Sequence, residues 1–263
     1  MTKTISQRIA EELAVREAQV TAAIQLLDEG STVPFIARYR KEVTGALDDT
    51  QMRQLEERLH YLREMEDRRQ TILGSISEQG KLSPELERSI LAADTKNRLE
   101  DLYLPYKPKR RSKALIAREA GLEPLADAIL ANPGLDPQLL ADNYLNAEAG
   151  FGDTKAVLDG ARQILMERFA EDADLLAALR QFLVDHAQLA SRLVDGKADE
   201  AAKFRDYFEH TEALAKIPSH RALAMFRGRN EGFLNLNLVM HDQEKSTEAH
   251  PCETMIAGHW HIK

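Results

Sequence analysis

The feature that most constrains this chain is its longest helical pattern. Met52, Leu55, Leu59 and Leu62 recur in alternating steps of three and four residues, Asp48 or Asp49 stands ready to cap them, and Gly80 ends the run. The spacing predicts one helix reaching to about Ser77, and a helix of that length must bury its stripe against other elements. After Leu62 the stripe weakens, because Glu66 and Arg69 take apolar positions. A strut inside a helical bundle is therefore expected rather than a coiled-coil dimer, with the chain a monomer.

The flanking segments are helical too. Thr4 and Gln7 form a capping box before Ile5, Ile9 and Leu13, and a second helix carries Val20, Ala23, Ile24 and Leu27 up to Gly30. Pro34 opens a third, with Phe35, Ile36 and Tyr39 expected on its buried side and Thr44-Gly45 closing it. Ser83-Pro84, Asp94 or Thr95, Ser112, Asp153 and Ser219 mark further starts, and Gly121 separates two short helices. Asn132-Pro133-Gly134 is the clearest turn signal and places a boundary there. Phe204, Tyr207 and Phe208 are expected on one side of another helix. Leu234, Leu236, Leu238 and Met240 alternate with polar residues, a strand period whose partner is either Leu189 to Val194 or lies outside the chain. Thirteen glycines and nine prolines are few for 263 residues. The fold class is all-α: a multihelical bundle around one long helix, with at most a small β element near residues 233–240.

The formal net charge is −8, so any site for a polyanion must be a local basic patch. One cysteine, Cys252, excludes an intrachain disulfide framework and fits a reducing compartment. The first twenty residues alternate acids and bases without the apolar core of a signal peptide, and no segment is apolar enough to span a bilayer. A cytoplasmic protein with no membrane partner is expected. His250, Cys252, His259 and His261 fit no closed zinc pattern, and His220 reads as a helix-terminus residue. No glycine-rich phosphate loop, nucleophile elbow or HExxH is present. The expectation is a non-enzyme with no catalytic residues, no metal and no cofactor.

The sharpest cluster is basic. Lys107, Lys109, Arg110, Arg111, Lys113 and Arg118 follow one another with no acid between Asp101 and Glu119. Like charges this dense need solvent, phosphate or acidic surface to screen them. Phosphate contact beside a helix-turn-helix competes with a solvated or intramolecular role. A second group, Arg38, Arg40 and Lys41, has Glu42 and the Asp48-Asp49 pair nearby, which favours structural ion pairs. A third is Arg221, Arg227 and Arg229, around Gly228 and Gly232.

Two long blocks, LLDEGSTVPFIARYRKEVTGALDDTQMRQLEERLHYLRE (26–64) and TKNRLEDLYLPYKPKRRSKALIAREAGLEPLADAI (95–129), closely resemble the opening of the Tex family of bacterial transcription accessory proteins. ILMERFAEDADLL, FRDYFEH and PSHRALAMFRGRNEG continue the match in order. The resemblance implies a discontinuous multihelical N-terminal region, residues 1–60 and 133–263, interrupted by a helix-turn-helix-like insertion at 61–132. It also implies that the family's RNase H-like, helix-hairpin-helix and RNA-binding OB-fold domains would follow the part present here.

Together these features lead to a helical scaffold of a Tex-like protein. It would make weak, sequence-independent contact with RNA or DNA through Lys107 to Arg118, with Arg110→Glu plus Arg111→Glu weakening that contact. The rival is a protein-interaction scaffold that docks the transcription machinery, or the protein's own later domains, without touching nucleic acid.

Overall fold

The computed structural model describes residues 3–109, 111–132, 134–240 and 249–262. Arg110, and Pro133 of the expected boundary turn, lie outside the described residues. The chain divides into two compact units, one ending at Pro108 and the other beginning at Lys109.

The first unit holds α1 (Ile5–Glu12), α2 (Glu17–Asp28), α3 (Val33–Tyr39), α4 (Lys41–Thr44), α5 (Asp49–Glu78), α6 (Pro84–Ala92) and α7 (Lys96–Tyr103). The capping boxes form as the sequence requires. Thr4 accepts from the Gln7 N–H, and Asp48 accepts from the Gln51 N–H at 2.8 Å, while each glutamine side chain reaches back. Thirty residues make α5 about 45 Å long. Its N-terminal half packs Met52, Leu55, Leu59 and Leu62 against Ile9, Val20, Ala23, Ile36 and Leu47. Its C-terminal half packs Met65, Ile72 and Ile76 against Ile90, Leu99 and Tyr103.

The stripe on α5 does not fade after Leu62 but continues through Met65, Arg69, Ile72 and Ile76. Arg69 is only 7% exposed, and its guanidinium donates to the Ile90 carbonyl (3.2 Å), the Ala93 carbonyl (2.8 Å) and Glu66. A cation can sit in an apolar seam because three acceptors replace its water. The residues that looked like a break are thus a polar lock between α5 and the end of α6.

The expected third helix is two. The Arg40 carbonyl accepts from the N–H groups of Val43 and Thr44 and opens a new turn, and Gly45, at φ +61, ends it in the left-handed region. Phe35 and Tyr39 do not face the core as expected: they are 39% and 58% exposed. Val33, Ile36 and Ala37, spaced three and four apart, already form the buried stripe of α3.

The second unit holds α8 (Lys113–Glu119), α9 (Glu123–Ala131), α10 (Pro137–Ala141), α11 (Thr154–Ala170), α12 (Ala173–His186), β1 (Ala187–Leu193), β2 (Glu209–Ala213), α13 (Ser219–Asn230), β3 (Leu234–Met240) and α14 (Pro251–His259). Ala114, Ala117, Leu122, Leu125, Val157, Ala161 and Ile164 fill its helical core. α8 can lie close on α11 because Gly160 faces it: a Cβ there would stand 3.4 Å from Ala117 Cβ of α8, and would clash with Leu122 Cδ1 at 2.5 Å and Phe151 Cε1 at 2.8 Å.

The strand at Leu234–Met240 pairs antiparallel with Ala187–Leu193, which settles the open partner in favour of the internal one. A further strand, β2, completes the order β2-β1-β3. Its sequence, EHTEA, is polar, with no fully buried residue, so it carries no apolar alternation to read. The expected helix at Phe204 is instead a short 3-10 turn, Ala202–Tyr207, in which Phe204 (φ −110) leaves helical values. Only Phe204 of the three aromatics is buried, where its ring meets Phe233 at 6.0 Å. Ser219 begins α13 without a side-chain cap, since Pro218 takes the cap position. Among the described residues, no helix is long and apolar enough to cross a membrane.

Candidate nucleic-acid interface

The basic run follows α7 in the chain and continues into α8, which carries Lys113 and Arg118. After α7 a 3-10 turn, Leu104–Tyr106, leads through Pro105 to an extended stretch at Lys107. Ser112 then caps α8, its hydroxyl accepting from the Leu115 N–H at 3.0 Å and donating to Glu167 Oε1 at 3.1 Å. That second bond ties the start of α8 to the C-terminal end of α11.

Two of the six cations follow Ser112 to the same place. Lys109 pairs with Glu171 and lies 3.5 Å from Glu167, while Arg118 pairs with Glu167 and, at 3.2 Å, with Glu123. Arg168 extends the cluster to Asp127 at 2.7 Å. The side chains of Glu167 and Glu171 are only 15% and 16% exposed. Burial pushes the Glu167 carboxyl up, but the Arg118 hydrogen bond, the Lys109 charge and the Ser112 hydroxyl outweigh it and hold the group below its ordinary value. Three cations here meet four carboxylates, so this part of the run is neutralised within the second unit.

Lys107, Arg111 and Lys113, the other cations of the run among the described residues, stay outward. Arg111 meets Glu119 at 2.8 Å with both side chains mostly in water, a pair worth little. Lys107 and Lys113 are exposed, and among the described residues neither has a carboxylate within 4 Å. Lys107 still helps to lower the Glu100 carboxyl, whose main partner is the Arg68 guanidinium. Lys113, Arg162, Ile116 and Phe151 line a depression of about 350 Å³ beside α11. Gly121, at φ +84, turns α8 into α9 as its spacing suggested.

The second basic group departs from its expected pairing. Asp48 is occupied in capping α5, and Asp49 pairs with Arg53 one turn along at 2.7 Å, so neither reaches back. Arg38, Arg40 and Lys41 are all exposed, and among the described residues none makes an ion pair. Arg40 and Arg38 instead lie over the rings of Phe35 and Tyr39. In the third group Arg221 pairs with Glu212 at 3.0 Å and Arg227 with Glu231 at 2.8 Å. Arg229 bonds Asn230 and lies 5.0 Å from the Phe226 ring.

His250 caps α14 by accepting from the Cys252 N–H, and His259 meets Asp172 at 2.8 Å. Burial pushes the Cys252 thiol up. Among the described residues no three His, Cys, Asp or Glu side chains gather as metal ligands.

Sequence reasoning missed the exposed Phe35 and Tyr39. The available signal was the completeness of the Val33, Ile36, Ala37 stripe, which leaves both rings on another flank.

Residues 3–77 match the family described as Tex-like protein N-terminal domain, and residues 132–263 the family described as Tex central region-like. The chain is 59% identical over 261 residues to Protein YhgF of Escherichia coli, covering 98% of this chain and 34% of that protein. It is 54% identical over 259 residues to the transcriptional accessory protein Tex of Neisseria gonorrhoeae, covering 98% and 34%. It is 29% identical over 247 residues to the human S1 RNA-binding domain-containing protein 1, covering 90% and 24%. The chain thus spans about a third of the length of these bacterial relatives.

Proposed function

The chain belongs to the Tex family as its N-terminal region, and we propose that it is a helical scaffold of a transcription accessory protein that makes weak, sequence-independent contact with nucleic acid. The observation that carries this reading is the outward set Lys107, Arg111 and Lys113, exposed on a chain whose net charge is −8. Lys109 and Arg118, already neutralised by glutamates, position the segment rather than bind. The name of the human relative, which carries an RNA-binding domain, supports nucleic acid as the partner. The proposed role is non-catalytic and cytoplasmic.

Fluorescence anisotropy with a labelled oligonucleotide tests it. Each phosphate contact contributes about 0.7 to the slope of log affinity against log salt for a single strand. Replacing Lys107, Arg111 and Lys113 together by Glu should weaken binding and flatten that slope by about 2. Unchanged affinity would remove the segment from consideration. The same mixtures with added magnesium should show no cleavage.

A second reading has its own observation. Leu223 and Phe226, three residues apart on α13, are 69% and 41% exposed, a face suited to a protein partner. Retention of polymerase components after nuclease treatment, lost in Leu223→Ser with Phe226→Ser, would favour it.

A further inference from the structure

The flank of α3 that the core leaves uncovered combines two chemistries. Phe35 and Tyr39 stand one turn apart with ring centroids 5.5 Å apart and planes inclined at 47°. Val43, on α4, is 47% exposed. The Arg40 guanidinium carbon lies 5.1 Å from the Phe35 centroid, and that of Arg38 lies 6.0 Å from Tyr39's. Lys41 adds a third cation, against a single acid in the segment, Glu42. Among the described residues, none of the three cations has a carboxylate within 4 Å.

We propose that this flank is a stacking platform for single-stranded nucleic acid, with Phe35 and Tyr39 taking base faces and Arg38, Arg40 and Lys41 taking phosphates. It is separate from the segment of residues 107–118 and asks for bases as well as charge. Exposed rings interleaved with unpaired cations are the two elements a single strand needs, since every base has a π face and every linkage a negative charge. A duplex is selected against because its base faces are covered by its own stack, so it offers phosphates to the cations but no free face to either ring. The carboxylates of an acidic protein would satisfy the cations but would leave the two rings without a base to stack on.

The test uses the whole chain carrying Lys107→Glu, Arg111→Glu and Lys113→Glu, so that binding through the other segment is already removed. The probe is labelled oligouridylate of about twelve nucleotides, with the matching oligothymidylate, a duplex of equal length and polyglutamate as comparisons. Tyr39→Ala should weaken single-strand binding at least about fivefold without changing the salt slope, because stacking is lost and charge is kept. Tyr39→Phe, which retains the ring, should stay near the parent. Arg40→Gln should flatten the slope by about 0.7. Tyr39 is more than half exposed, so Tyr39→Ala should keep its helical circular dichroism.

Wild-type affinity in Tyr39→Ala, an equal loss on duplex, or displacement by polyglutamate as effective as by unlabelled oligonucleotide would each overturn the proposal. The polyglutamate result would point to an acidic protein. A loss in Tyr39→Ala that is alike on the RNA and DNA strands supports stacking as the common basis.

Discussion

Glu167 and Glu171 hold two cations of the basic run in place, so neutralising them should make the chain a stronger binder of nucleic acid while weakening its fold. Glu167→Gln with Glu171→Gln keeps side-chain size but releases Lys109 fully and leaves Arg118 only the half-exposed Glu123. Lys109 freed fully and Arg118 freed in part steepen the salt slope by about 0.7 to about 1.4 on a single strand. Across a fourfold change in salt, from about 50 to about 200 mM, that is an additional loss of about threefold to about sevenfold. Charge-assisted hydrogen bonds to a largely covered carboxylate imply a stability cost of about 1–2 kcal/mol, seen as a drop of about 3–6 °C in the melting temperature.

The pH dependence has a definite sign. Glu167 has its carboxyl held below the ordinary range when folded, so its stabilising contribution is fully present above the unfolded value, about 4.3, and is lost as pH falls through the lower folded value. The stability difference between wild type and the double variant should therefore vanish in acid. Salt-titrated anisotropy and thermal melts at several pH values provide the assay. Glu56→Gln with Glu57→Gln, on exposed positions of α5, removes the same formal charge elsewhere and serves as the control. A slope no steeper than this control's, or a stability gap that widens as pH falls, would refute the reasoning.

Two further outcomes test the packing. Arg69→Ala removes a buried guanidinium and strands the Ile90 and Ala93 carbonyls, and should cost about 3 kcal/mol or more in urea denaturation, whereas an isolated exposed charge would cost almost nothing. Gly160→Ala places a Cβ against Leu122 and Phe151, and should destabilise the second unit by about 1–3 kcal/mol despite the better helix propensity of alanine; a gain in melting temperature would contradict the close approach of α8 to α11.

Local chemistry made the helical elements legible. Thr4 with Gln7, Asp48 with Gln51, Ser83, Thr95, Ser112 and Asp153 all act within three residues of the backbone groups they satisfy, so their sequence spacing suffices. The same holds for the stripe of α5 from Met52 to Leu62 and the alternation of β3. The family blocks carried the identity, because long ordered matches do not need a folded structure to be read.

What only the tertiary structure decided is which charges and rings remain available. Glu171, the C-cap of α11, and Glu167 within it meet Lys109 and Arg118 from 62 and 49 residues along the chain, so a stretch without acids in sequence is partly neutral in space. Arg69 looked like a gap in a stripe until α6 supplied the carbonyls that satisfy it. The three cations beside α3 looked paired until capping and a nearer arginine claimed Asp48 and Asp49. β2 became a strand only because β1 offered its edge. In each case the sequence specifies a group's chemistry, while its partner is chosen by packing between distant segments, and the availability of a site depends on both.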